Sequence, residues 1–123
     1  MSAETVGIVG AGLIGRAWAI VFARSGFQVR LHDQVPAALD SCVGTIGERL
    51  RDLAEFGLID EAPDTILARI RPDASLAEAV GKAVLVQENV AEKIEVKREI
   101  FTELDRLAPA EAILASSTSW LPA

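Results

Sequence analysis

Two hydrophobic periods alternate along the chain. Thr5-Val6-Gly7-Ile8-Val9 is a short apolar run, the mark of a strand covered on both faces. Ile14, Ala17, Trp18, Val21 and Phe22 then fall at i, i+3, i+4, i+7 and i+8, which predicts a helix with one apolar face. Ser25-Gly26 ends it, Gly26 being suited to a left-handed cap. Phe27 to His32 predicts a second strand. A helix is expected from Val35-Pro36 to about Leu58, since proline suits a first helical turn. Gly44 and Gly47 weaken that helix and mark close packing, and Gly57 interrupts or ends it. Asp60 to Ala68 reads as a short helix or turn, and Ile70-Arg71-Pro72 as a short edge strand, where proline is tolerated. Leu76 to Val80 is a helical turn stopped by Gly81, and Ala83 to Gln87 a buried strand. Ala91 to Leu107 predicts a helix with Ile94, Phe101, Leu104 and Leu107 on one face, stopped by Pro109. Ala112-Ile113-Leu114-Ala115 is a last strand.

Strands alternating with helices imply an α/β fold, a doubly wound parallel sheet. Such sheets bind ligands beyond the carboxyl ends of their strands. Three segments converge on that edge: Gly10-Ala11-Gly12-Leu13-Ile14-Gly15, the loop Gln87 to Glu92, and Ser116-Ser117-Thr118-Ser119.

Between a strand and a helix, the first of these is a dinucleotide-binding fingerprint of the Rossmann type. Gly10 lets the chain turn out of the strand. Gly12, without a Cβ, lets a pyrophosphate approach the backbone, and Gly15 lets the helix pack tightly. The N–H groups of the first helical turn, from Leu13 and Ile14 on, face the pyrophosphate. Asp33, at the end of the second strand, would accept hydrogen bonds from the adenosine ribose and repel a 2′-phosphate. That favours NAD over NADP, the more so as Gln34 rather than arginine follows. Glu88, Asn89, Glu92 and the serine–threonine group are further polar candidates. Glu92 and Glu95 also suit a helix start on dipole grounds alone, and Thr118 and the serines suit a cap. His32, the only histidine, belongs to the second strand and reads as structural.

Composition narrows the classes. A chain of 123 residues, 50% of them hydrophobic, fits one α/β domain with a real core. A net charge of −6 argues against nucleic acid or an anionic membrane as partner. No apolar run is long enough to span a bilayer, and a strand that begins almost at the N-terminus argues against a signal peptide. The single Cys42 excludes an internal disulfide, fits a reducing cytoplasm and reads as a small buried hydrophobe. No metal site is expected.

The order of motifs resembles the NAD-binding domain of the 3-hydroxyacyl-CoA dehydrogenase family over essentially the whole chain, residues 1–123. The blocks that carry the likeness are Val9 to Arg16, Phe22 to Asp33, Gln87-Glu88-Asn89-Val90-Ala91-Glu92, Glu95 to Phe101 with Leu104-Asp105, and Ile113 to Ser119. Gln87-Glu88 and Ser-Ser-Thr-Ser look most like the lambda-crystallin/L-gulonate 3-dehydrogenase branch, with carnitine dehydrogenases nearby. The resemblance implies that Glu92 and Lys97 contact NAD. It implies that Ser119 hydrogen-bonds the 3-oxygen of the substrate near the nicotinamide. It further implies fatty acid metabolism, a cytoplasmic homodimer, and hydride transfer from C3 of a 3-hydroxy substrate while a histidine, oriented by a glutamate, takes the hydroxyl proton. That His–Glu pair and the C-terminal helical domain lie beyond Ala123 in the family, so this stretch alone is expected to be inactive. Two departures stand out: Ser117 where acyl-CoA members usually have Asn, and Trp120 where a small residue is commoner.

The sequence is therefore consistent with two functions. One is an NAD-dependent dehydrogenase of a small hydroxy acid or a hydroxyacyl-CoA. The other is a non-catalytic NAD-binding or structural, crystallin-like module. Between Pro36 and Ile70 stand Arg49, Arg51 and Arg69, no lysine, and Asp40, Glu48, Asp52, Glu55, Asp60, Glu61 and Asp64. That balance disfavours the phosphates of coenzyme A and favours a free hydroxy acid.

Overall fold

The computed structural model describes residues 4–89 and 94–116, the side chains of 94–97 excepted. Five strands are described: β1 Thr5–Val9, β2 Gln28–His32, β3 Ile70–Pro72, β4 Ala83–Glu88 and β5 Ile113–Ser116. The helices are α1 Leu13–Arg24, α2 Pro36–Glu55, α3 Pro63–Leu67, α4 Leu76–Val80 and α5 Ile94–Leu107. All the pairings are parallel, in the order β3-β2-β1-β4-β5. This is the order of a Rossmann-type half-sheet, which reverses at β1 and leaves a crevice between the ends of β1 and β4.

Alternation along the strands builds two cores. Val6 and Ile8 of β1 and Val29 and Leu31 of β2 point to one face, where Ala19, Ile20, Ala23, Cys42, Ile46, Leu50 and Ile66 cover them. Val9 and Val86 point to the other, against Ala79, Val80, Ile100 and Leu104. The central strand β1 is buried on both faces, so it reads as an apolar run rather than as an alternating one.

Most boundaries fall within a residue or two of expectation. β2 begins at Gln28, not Phe27, because Phe27 completes the turn: its N–H reaches Phe22 O at 3.1 Å beyond Gly26, which has φ 98°. β4 runs one residue further, to Glu88, and β5 lies one residue later, at Ile113–Ser116. α2 stops at Glu55, and Gly57 takes φ 70° just past it. Gly47 does mark close packing, since a Cβ there would lie 3.4 Å from Leu67, whereas Gly44 faces open space.

The buried stripe of α1 differs from the one expected. It is Gly15, Ala19, Ile20 and Ala23, with Trp18 and Phe22 half-buried beside it, while Ile14, Ala17 and Val21 face outward. The reason is distance. A helix that lies close on β1 needs its smallest side chains at the contact, and the large apolar ones are displaced to the flanks. Trp18 stacks on Phe22 there, with ring centroids 5.6 Å apart, and Phe22 meets Phe27 edge-on at 6.0 Å. On α5, Ile100 joins Leu104 as the buried pair, and Phe101 and Leu107 pack beside them. The expected start of that helix at Ala91 lies outside the described residues.

Candidate dinucleotide site

The three motif glycines meet three different demands. Gly10 has φ 102°, a left-handed conformation that a side chain resists. Gly15 carries the closest approach of any glycine here: a Cβ there would lie 1.8 Å from Gly10 O. Gly12 is different. Its φ is −76°, it is exposed, and a Cβ there would meet nothing within 4 Å. The fold itself makes no use of that space. It opens in front of the first turn of α1, where Gly12 supplies no side-chain cap and the first helical bond is Arg16 N–H to Gly12 O. The N–H groups of Leu13, Ile14 and Gly15 are left without helical acceptors, as suits an anion. The residues present thus fit a pyrophosphate.

The turn is held rigidly. Asp33 Oδ2 accepts the Ala11 N–H at 2.7 Å, and its Oδ1 accepts the Val35 N–H at 2.7 Å. Arg16 Nε donates to Ala11 O at 2.8 Å, and its Nη2 donates to Ser41 Oγ at 3.0 Å. The Ala11 peptide is thereby pinned through its own N–H and C=O. Asp33 stands at the place expected for a ribose contact, and it is a strut under the glycine turn.

Side chains join each neighbouring pair of strands along this edge. Between β2 and β3, His32 Nδ1 donates to Asp73 O at 2.9 Å, which places the proton on Nδ1 because a carbonyl only accepts. Arg30 grips the Asp73 carboxylate with two bonds, at 2.5 and 2.8 Å, and this pairing holds the guanidinium pKa above its usual value against the opposing effect of burial. Between β1 and β4, Asn89 Nδ2 donates to Val9 O and to Gln87 O, each at 3.3 Å. Between β4 and β5, Ser116 Oγ donates to Glu88 Oε1 at 2.7 Å, and Glu88 is fully buried. Cys42 sits in the α2 core and donates to Leu39 O, and burial raises its pKa, as for an inert thiol.

Gly10, Gly12, Leu13, Ile14, Gly15 and Asp33 are brought together, with Glu88, Asn89 and Ser116 along the same edge. Glu92, Ser117, Thr118 and Ser119 lie outside the described residues, and Lys97 is placed only as backbone in the first turn of α5. The pinning by Arg16 was not anticipated; an arginine directly after the motif gives no sign that it will reach back to Ala11. No cluster of metal-ligating side chains occurs among the described residues. None of their helices is long and apolar enough to cross a membrane.

Residues 5–123 match the family described as 3-hydroxyacyl-CoA dehydrogenase, NAD binding domain. The chain belongs to that family. Its cofactor is accordingly NAD. The lambda-crystallin homolog of Rattus norvegicus is 38% identical over 98% of this chain. An L-carnitine dehydrogenase of Oceanobacillus iheyensis is 34% identical over 94% of it. The structure of (S)-3-hydroxybutyryl-CoA dehydrogenase from Ralstonia eutropha superposes with a TM-score of 0.88 at 32% identity, over 98% of this chain and 42% of that one. The chain spans 38% and 37% of the lengths of the first two relatives.

Proposed function

We propose that this chain is the cofactor half of a dehydrogenase that moves a hydride between C3 of a small 3-hydroxy acid and NAD. The observation that carries the cofactor half is the open space at Gly12, set before unsatisfied N–H groups, with Asp33 at the end of the next strand. When bound, NAD supplies the hydride acceptor. The chain's own residues do the holding: the first turn of α1 binds the pyrophosphate, and Asp33 accepts from the ribose hydroxyls with the lone pairs left over from Ala11 and Val35. Glu92 and Lys97 are assigned to further contacts with NAD, and Ser119 to a hydrogen bond that fixes the 3-oxygen of the substrate. The base that takes the hydroxyl proton belongs, on this reading, to a further segment of a longer, cytoplasmic, homodimeric enzyme.

The free acid is favoured over an acyl-CoA by the charges of α2 and the segment after it. Arg69 is already committed to Glu61 and to Ala23 O, at 2.9 Å. Arg49 and Arg51 share α2 with Asp40, Glu48, Asp52 and Glu55, a poor setting for several phosphates. The relative named L-carnitine dehydrogenase points to the same class, that named 3-hydroxybutyryl-CoA dehydrogenase of Deinococcus radiodurans to the other.

The test is a substrate screen on the intact protein, following NADH absorbance with free 3-hydroxy acids and hydroxyacyl-CoAs side by side. Turnover of the free acids, lowered in Ser119→Ala while NAD affinity holds, is the expected result. Turnover of acyl-CoAs alone overturns the substrate assignment. Tight NAD binding with no turnover of either class supports the structural, crystallin-like alternative.

A further inference from the structure

Asn89 lies where β1, β4 and the glycine turn meet. Its backbone N–H donates to Val9 O at 2.8 Å, the last rung of the ladder between these strands. Its amide then repeats the link from the side chain, donating to the same Val9 O and to Gln87 O. A Cβ on Gly10 would come within 3.0 Å of the Asn89 carbonyl group and 3.3 Å of its Cβ; one on Gly15 would lie 3.4 Å from Asn89 Nδ2. The first and third glycines of the motif are thus both seated on this one residue.

We infer that Asn89 is a positioning residue for the dinucleotide. Its amide clasps the ends of β1 and β4 at the crevice and sets the height at which the glycine turn presents its N–H groups to the pyrophosphate. This role presupposes the NAD binding proposed above. The chemistry explains why an amide stands here. Two strand-end carbonyls face the same point, so a side-chain donor can serve both, and an aliphatic residue would lose this clasp and keep only the backbone bond to Val9 O. An aspartate of equal size would set negative charge against both carbonyls and beside the anion the turn receives. Asp33 holds the opposite flank, across β1, so the two residues divide the work. Asp33 serves the adenosine end, and Asn89 acts through the turn on the phosphates.

The division can be measured on the intact protein with three ligands: NAD, ADP-ribose, which keeps the pyrophosphate, and adenosine, which has no phosphate. In Asn89→Ala the affinities for NAD and ADP-ribose are expected to fall about fivefold, the size of one or two lost neutral hydrogen bonds. In Asn89→Asp the fall is expected to exceed roughly tenfold, because repulsion is added to the loss. Adenosine binding stays within about twofold in both, less than a single net hydrogen bond. An equal loss for all three ligands, or none for NAD and ADP-ribose, overturns the inference. If Asn89→Asp does not fold, Asn89→Ala decides alone. Binding of NAD by the unaltered protein tests the cofactor reading separately, so the two failures are distinguishable.

Discussion

Gly12 and Gly15 look alike in the sequence and are opposites in the structure. A methyl group at Gly15 collides with Gly10 O and lifts α1 off the sheet; one at Gly12 enters space that the protein leaves open. Gly15→Ala is therefore expected to lower Tm and abolish NAD binding together. Gly12→Ala should leave Tm within a few degrees while weakening NAD at least tenfold, since the methyl group takes the approach path of the pyrophosphate. Equal losses of Tm in the two variants would refute this division. Asp33 carries a second such contrast. Asp33→Ala removes the charge that disfavours NADP, so the preference for NAD over NADP narrows. It also leaves the Ala11 and Val35 N–H groups without their acceptor, each such bond to a charged group contributing about 1.5–3 kcal/mol. Affinity for both cofactors should fall in calorimetry, and a variant that gained NADP binding with NAD unchanged would count against the strut. The place of Asp33 after the second strand was legible in the sequence. The strut was not, because Ala11 lies 22 residues away and only the fold brings the two together.

Among the elements, the strands and α2 were legible because their signals are local: continuous apolar runs, and Pro36 at a helix start. The inward face of α1 was not. Periodicity gave an amphipathic helix, but the choice between Ile14-Val21 and Gly15-Ala19-Ala23 depends on how near the helix sits to β1, which no spacing encodes. The short α3 segment is seated in the core by Ile66 and is fastened at its flanks by a charge pair. Arg69 joins Glu61 through two bonds and also donates to Ala23 O at the end of α1. Its hydrogen bonds draw the Glu61 pKa below the ordinary glutamate value, against a smaller opposing effect of burial. A lowered folded pKa means that this stabilisation is fully present above the unfolded glutamate pKa and is lost as pH falls through the folded one. Glu61→Gln should therefore lower Tm near neutral pH and flatten its decline on the acid side. A parallel displacement of the whole acid limb would show that the pair contributes nothing to it.

For the whole molecule, the alternation of strand and helix was enough to give the doubly wound parallel sheet and so the edge at which such sheets bind ligands. What it did not give is how that edge is fastened: His32 to Asp73, Asp33 to Ala11, Asn89 to Val9, Ser116 to Glu88, one link for each pair of neighbours across β3-β2-β1-β4-β5. The opposite edge has a register shift between Thr5 and Val6 against β4. Strand ends ordinarily fray first in hydrogen exchange. Here fraying should be lopsided, with the amides of Gly10, Asp73 and Asn89, which donate to His32 O, Leu31 O and Val9 O, exchanging more slowly than that of Gln28, which donates to Glu4 O. The reverse order in exchange followed by NMR would refute this. A sheet that breathes from its far end meets its cofactor with the receiving rim already set, so little ordering is left to be done on binding.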